Sequence, residues 1–262
     1  MELSSILKAL DLNIIGVFTH LHKLAGMEAS SENGITVANS GIACDMLNIA
    51  CCTKNVLAIP DVIKKFSDLN LPFAWWTGFE DDIPNLKEHL EDNDLISNEL
   101  GTRMFAEISD LPHERKCPVL KIELVDDAQK LNELIEVWKL SFSDKKEELQ
   151  EFFEKTGKYI CDSNSSIKYF VGYYNEQPIA MSSLCTYGNV AGVWSVVVLP
   201  EFRKRGIGTE MTSHPLFFAH NNFGFHVGVL LANSSGVHVY EKLGFQKIKD
   251  FHVFNVKEKE TK

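Results

Sequence analysis

The chain has no run approaching the roughly 20 consecutive apolar residues that a helix needs to cross a bilayer. Its most apolar early stretch, Leu7–Ile15, is broken by Lys8, Asp11 and Asn13. It also has no C-x-x-C spacing. The six cysteines (Cys44, Cys51, Cys52, Cys117, Cys161 and Cys185) are scattered, and the adjacent Cys51 and Cys52 would point to opposite faces of a strand. No metal site is expected, and the cysteines read as free thiols of a reducing cytoplasm. Cationic excess is missing too: the formal net charge is -10, which argues against non-specific binding to a phosphate backbone but tolerates a cationic acceptor. The phosphate loop G-x-x-x-x-G-K-[ST] and the dinucleotide fingerprint G-x-G-x-x-G are both absent. These absences point to a soluble cytoplasmic protein that engages neither nucleic acid nor membrane.

What is present is ordinary globular material, with 45% hydrophobic and 24% charged residues over 262 positions. That length suits two modest domains. A polar connector bounded by Pro112 and Pro118 (Pro112, His113, Glu114, Arg115, Lys116, Cys117, Pro118) divides the chain. After it, Val119–Val125 reads as a strand, and Ala128–Phe142 and Asp144–Lys158 read as helices with Leu131, Leu134, Ile135 and Trp138, then Leu149, Phe152 and Phe153, facing inward. Three strands in quick succession, Ile167–Tyr174, Pro178–Thr186 and Val190–Val198, imply an antiparallel meander. A helix from about Gly206, a strand Phe225–Leu231, a helix from about Ser234 to Leu243 and a strand pair (Phe245–Lys249, Phe251–Val256) complete an α/β (α+β) sheet of mixed direction. Pro215 should kink the helix after Gly206 or end it early. In the first half, Leu3–Leu24, Pro60–Leu69 and Ile83–Glu91 read as helices, and Ile35–Asn39, Met46–Cys52 and Met104–Ile108 as strands.

The informative stretch is Ser195–Gly208, S-V-V-V-L-P-E-F-R-K-R-G-I-G. A valine strand runs into a turn with three cations, then into glycines that open a helix. Unpaired amides at a helix start, with glycines allowing close approach, suit a pyrophosphate. Such a turn also serves simply to reverse a chain. However, the R-x-x-G-x-G spacing at Arg203, Gly206 and Gly208 resembles the coenzyme A signature of the GNAT acetyltransferases. Ala232–Phe245, A-N-S-S-G-V-H-V-Y-E-K-L-G-F, is similar to that family's closing N-x-x-A-x-x-x-Y-x-x-x-G-F, with Gly236 where alanine is usual. The resemblance covers roughly Val119–Val256. It implies a GNAT fold over 119–262 that uses acetyl-CoA as co-substrate.

By that resemblance, pantetheine would pair with Val196, Val197 and Val198, and the pyrophosphate would sit on Arg203, Lys204, Arg205, Gly206, Ile207, Gly208 and Thr209. Asn233 would contact the pantetheine. Tyr240, seven residues on and so on the same helical side, would protonate the departing thiolate. The alternative for Tyr240 is a ring that only packs against the sheet. No general base stands out: Glu201, His226 and His238 read as ordinary residues, and Cys185 is not required as a nucleophile.

In the first half, L-P-F-A-W-W-T-G at Leu71–Gly78 and G-T-R-M-F-A at Gly101–Ala106 are similar to the N-terminal half of two-domain GNAT proteins. That implies a degenerate GNAT-like domain over 1–115 without coenzyme A binding, since no R-x-x-G-x-G turn precedes residue 119. Trp75 and Trp76 read as core or interface, with an acceptor cleft as the alternative. The expected activity is acetyl transfer to a primary amine by direct attack, on a small molecule, peptide or protein, by a monomer or homodimer. The competing reading is an acyl-CoA-binding regulatory module without turnover.

Overall fold

The computed structural model describes residues 1–142 and 144–257, so residues 143 and 258–262 of the expected second unit lie outside the described residues. The first half runs α1 (Leu3–Leu24), β1 (Glu28–Glu32), β2 (Ile35–Asn39), β3 (Asn48–Cys51), α2 (Ile59–Asp68), β4 (Ala74–Trp76), α3 (Leu86–Glu91) and β5 (Leu95–Glu107). The second opens with β6 (Lys121–Leu124), α4 (Ala128–Ser141), α5 (Lys146–Ile160), β7 (Ile167–Tyr174) and β8 (Gln177–Cys185). It continues with β9 (Ala191–Val198), α6 (Ile207–Phe223), β10 (Val227–Asn233), α7 (Val237–Leu243) and β11 (Gln246–Val256). Helix α4 starts where Asp127 accepts the Lys130 amide at 2.8 Å, a side-chain N-cap.

All these strands form one sheet in the order β1-β2-β3-β4-β11-β5-β10-β9-β8-β7-β6. Only β3–β4 and β9–β10 are parallel; the other pairings are antiparallel. This is a mixed, mostly antiparallel α/β sheet flanked by helices. The halves exchange their last strands: β5 lies between β10 and β11, and β11 lies between β4 and β5. The packing follows the exchange. Phe254 of β11 is fully buried in the first half's core with Phe66, Phe73 and Trp75, while Met104 and Ala106 of β5 join the core of the second.

On one face of the second half, Met211 of α6 reaches Gly172 and Leu216 reaches Gly228, where a Cβ would collide. On the other face, Phe153 of α5 packs edge-on to Tyr169. Residues alternate faces along a strand, so on β10 Leu231 and Asn233 point away from α6. Helix α1 crosses from the first half to clamp the β8–β9 turn. The buried Asn13 donates to the carbonyls of Cys185, Tyr187 and Val190 at 2.9, 2.8 and 3.2 Å and accepts from Trp194 Nε1 at 2.9 Å. Gly192 is obligatory there, because a Cβ would overlap Asn13 Oδ1.

Several expectations change. Strands β1 and β4 went unread, because E-A-S-S-E carries no β-branched residue and A-W-W is three residues long. Strand β5 begins nine residues before the expected Met104, since Ser97, Asn98 and Glu99 face solvent and hide its alternation. The expected final strand pair is one strand, β11, with a register shift at Lys247–Lys249 against β5. Helix α3 starts at Leu86, after Asn85 adopts a left-handed φ of 57°. Pro215 does not end α6, which continues to Phe223. In the turn before it, Thr212 Oγ1 donates to the Gly208 carbonyl at 2.8 Å and Ser213 Oγ to the Thr209 carbonyl at 3.0 Å.

Candidate active site

Strands β9 and β10 pair only at Gly228–Ala191 and Val229–Gly192, and then diverge. Beyond that point β9 stays with β8 but bulges: Ser195 and Val196 stand against a single residue, between the Trp194–Ser183 and Val197–Met181 pairs. Ser195 takes a positive φ of 50° to do so. A bulge turns a strand and sharpens its twist. Here it leads Val196, Val197 and Val198, all half-buried, along the open side of a wedge where they have no ladder partner on β10.

At the wedge mouth a short helical turn, Pro200–Phe202, leads through Lys204 (φ 61°) to Gly206 (φ 79°). Helix α6 then starts without a side-chain cap, and its first intrahelical bond is Glu210 N to Gly206 O at 3.2 Å. The amides of Ile207, Gly208 and Thr209 therefore lack intrahelical partners and carry the positive end of the helix dipole. Gly206 is required twice over, by its φ and because a Cβ would sit 2.6 Å from Lys116 Cβ. Gly208 is different: a Cβ there would meet only Val198 Cγ2, at 4.0 Å, so its bareness leaves room beside free amides. Of the three cations, Arg203 is tied to the Val198 carbonyl at 3.0 Å and Arg205 to the Glu201 carbonyl at 3.1 Å, and Lys204 is exposed.

Glu210, buried in the first turn of α6, accepts from Arg115 Nε at 3.1 Å and from the amides of Lys116 and Cys117. It pins the connector across the helix start. Between α6 and α7 lies a cavity of about 430 Å³ lined by Lys116, Gly206, Thr209, Ser213 and Lys242 among others. Lys116 and Lys242 went unread, being 90 and 36 residues from Gly206 with no local pattern to mark them.

Tyr240 stands on α7, with Phe245 edge-on at 6.0 Å and Thr212 of α6 within hydrogen-bond reach. Burial pushes its phenol above the usual value, opposed by the Thr212 contact, so it keeps its proton at neutral pH. Asn233 is not helical. It ends β10, four residues before α7, so a seven-residue spacing does not put it on one helical side with Tyr240. Its Oδ1 accepts from Gly236 N and Ser235 Oγ, both at 2.9 Å, which fixes the turn into α7.

On the opposite face the wedge opens into a second cavity, of about 580 Å³, between the halves. Trp194, Ser195, Leu231 and Asn233 form its floor. Phe18 and Trp76 of the first half and Trp138, Phe142 and Phe152 of the second form aromatic walls. Trp76 is stacked on Phe251 at 5.4 Å and 12°, whereas Trp75 is fully buried in the first half's core. His22 also lines this cavity; burial lowers its pKa, and as the neutral ring its Nε2–H donates to the Leu47 carbonyl at 3.0 Å. Glu201 and His238 are exposed, and His226 stacks edge-on with His220. Among the described residues, no group of three His, Cys, Asp or Glu side chains is arranged to hold a metal ion, and no helix is long and apolar enough to cross a membrane.

A splayed parallel strand pair, with an uncapped glycine-led helix at its mouth, defines a class of α/β fold suited to an extended anionic ligand held between strands. Residues 131–245 match the model of the Acetyltransferase (GNAT) family. Acetyl transfer is that family's chemistry, and acetyl-CoA is its general donor. No curated protein sequence matches the chain. Among solved structures, a GCN5-related N-acetyltransferase from Kribbella flavida is similar over 95% of this chain and 97% of its own, at 12% identity and a TM-score of 0.66. A GCN5-related N-acetyltransferase from Sphaerobacter thermophilus aligns over 84% and 75%, at 9% and 0.59. A tandem GNAT protein from the clavulanic acid biosynthesis pathway aligns over 76% and 69%, at 9% and 0.53. These likenesses are of fold.

Proposed function

We propose that the protein is an N-acetyltransferase that takes acetyl-CoA from the α6–α7 side and transfers the acetyl group directly to a primary amine entering from the cavity between the halves. The observation that carries this reading is the open edge of β9 running into the uncapped start of α6, with Tyr240 on the adjoining helix α7. The residues fit the donor. Gly208 leaves open space beside three free amides, and Lys242 adds positive charge nearby, while Lys116 is paired with Glu114 at 3.2 Å.

Bound acetyl-CoA would supply an activated thioester. Val196, Val197 and Val198 would hold the pantetheine arm as an added strand, and a backbone N–H of the bulge would polarise the thioester carbonyl. The amides from Arg203 to Thr209 would take the pyrophosphate. Asn233 would hold the α7 turn in place rather than compete for the arm. The amine nitrogen bonds to the carbonyl carbon, the carbon–sulfur bond breaks, and Tyr240 gives its proton to the leaving sulfur. We read residues 119–262 as the GNAT domain and 1–115 as a degenerate copy. The β1-β2-β3-β4 order repeats that of β7-β8-β9-β10, but the turn from Cys51 to Ile59 contains no glycine.

The test is calorimetric titration with acetyl-CoA, paired with thiol-release kinetics on the intact protein and Tyr240→Phe. Tyr240→Phe should lower kcat by about 100-fold or more with acetyl-CoA affinity nearly unchanged, as loss of a general acid does. Equal rates would remove Tyr240 from the chemistry. Acetyl-CoA binding with no turnover on any amine would favour a regulatory module.

A further inference from the structure

The cavity between the halves is a chamber with a mixed aliphatic, polar and aromatic lining, but its charge comes from one side. Among the described residues that line it, the carboxylates and the imidazole are Asp45, Glu99 and His22, and all three belong to the first half. No lysine or arginine stands in that lining. The second half contributes the Tyr169 phenol, which burial pushes above its usual value, so it stays neutral. The half that carries the wedge therefore brings no charge to the chamber.

Two of the three first-half groups are already committed. Asp45 is engaged by Lys145 and by Asn255 Nδ2 at 3.2 Å. His22 is 4% exposed, burial holds its ring neutral, and its Nε2–H is given to the Leu47 carbonyl at 3.0 Å. Glu99 is exposed, and among the described residues its carboxylate forms neither an ion pair nor a side-chain hydrogen bond. The strand register places it. Strand β10 ends at Asn233, which pairs with Gly101 of β5. Beyond that end β5 runs on beside β11, with Glu99 opposite Val253. Residues two apart share a face, so Glu99 lies on the Asn233 face, at the end where β9 and β10 have diverged. Ser195 of the β9 bulge lines the same chamber.

Resting on the acetyltransferase reading above, we propose that Glu99 determines acceptor specificity by holding the ammonium of the amine at the open end of the wedge. The first half then supplies acceptor recognition, and the second half supplies the donor site. An alkylamine is protonated at neutral pH, its reference pKa being about 10. A lone carboxylate in a cleft with low-dielectric walls favours such a cation over its neutral isostere and over an anion. The strand exchange makes this possible, because β5 lies between β10 and β11 and so carries a first-half carboxylate to the second half's wedge. One free carboxylate matches one ammonium. The mixed lining sets no chemical class for the rest of the acceptor, so a plain alkyl chain serves as the probe.

Fluorescence titration of the full chain tests this, because Trp76, Trp138 and Trp194 line the chamber. The probes are hexylamine, hexanol and hexanoate. Saturable binding is expected in that order of affinity, with the amine about 5-fold tighter than the alcohol at low salt and a smaller gap at high salt. Glu99→Gln should bring amine and alcohol within about 2-fold of each other, and Glu99→Lys should place hexanoate first. Retained melting temperature in both variants separates lost recognition from lost fold. In the thiol-release assay Glu99→Gln should raise the KM for hexylamine and leave acetyl-CoA affinity unchanged. No saturable hexylamine binding, equal affinity for amine and alcohol, or a preference that survives Glu99→Gln would overturn the assignment. A preference that follows the charge at position 99 in a protein that ignores acetyl-CoA would sustain the carboxylate's role and sink the transferase reading.

Discussion

The buried ion pair between Asp11 of α1 and Arg103 of β5 offers a sharp stability test. Arg103 Nη1 donates to Asp11 Oδ1 at 2.6 Å, the arginine side chain is 0% exposed, and its guanidinium lies 4.9 Å from the Phe79 ring centroid. Its Nε and Nη2 have no partners, so Asp11 carries most of its compensation. Asp11→Asn leaves a cation that cannot shed its proton, and breaking such a buried pair costs about 3 to 5 kcal/mol. Arg103→Met leaves a carboxyl that can neutralise by taking a proton, toward which burial already pushes it. That change should cost less. The double variant Asp11→Asn/Arg103→Met leaves no unmatched charge, and its amide oxygen can still accept the Glu80 amide that Asp11 holds at 2.8 Å. It should be the least destabilised of the three. With an unfolding entropy of about 2.1 cal/mol/K per residue, Asp11→Asn should lower Tm by roughly 5 to 9 °C. Urea unfolding with an unchanged m-value, read beside calorimetric Tm, measures the series. An Asp11→Asn cost under about 1 kcal/mol, or a double variant as unstable as Asp11→Asn, would refute the reasoning.

Gly206→Ala and Gly208→Ala should separate fold from ligand: the first meets positive φ and Lys116 and should cost about 1 to 2 kcal/mol, while the second should leave Tm unchanged or raised and still weaken acetyl-CoA binding. Comparing melting curves with acetyl-CoA titrations of both variants checks the split. Cys185→Ala should keep kcat within about 2-fold of the parent, because burial pushes the thiol up to about 12 and leaves no thiolate for nucleophilic catalysis; a steady-state assay showing loss of turnover would restore a cysteine mechanism. His22, held neutral by burial with its pKa below 6.5, contributes stability above the unfolded value that is lost as pH falls through the folded one. Urea midpoints should therefore drop between pH 7.5 and 5, and the drop should shrink in His22→Gln.

The second half was readable because its signals are local. Glycine at Gly206 answers a positive φ, and β9 carries a run of β-branched valines of the kind strands favour. The β7-β8-β9 meander pairs neighbours in sequence, so turn residues alone mark it. What stayed hidden depends on distance along the chain. The pairing of Phe251 with Gly101 spans 150 residues, and nothing in Ser97–Glu99 advertises a strand until β11 lies beside it. The same holds for Lys116 beside Gly206 and for the chamber, whose walls come from both halves. Pro215 misled for a different reason: the penalty for interior proline is local, but Pro215 is itself buried and α6 is packed on both sides of it through Met211, Leu216 and Ala219. The seven-residue spacing of Asn233 and Tyr240 presumed one helix where a strand end and a turn intervene.

The exchanged strands also impose an order on biosynthesis. As the chain emerges, the first half is complete in sequence long before β11, the last of the described strands to be made, exists to fill the gap between β4 and β5. Until then β4 and β5 each present an unpaired edge, and Phe66, Phe73 and Trp75 wait for Phe254 to close over them. The nascent first half is therefore an open template, exposed for as long as the second half takes to synthesise. Any cell making this protein must shield that template or fold the second half quickly around it.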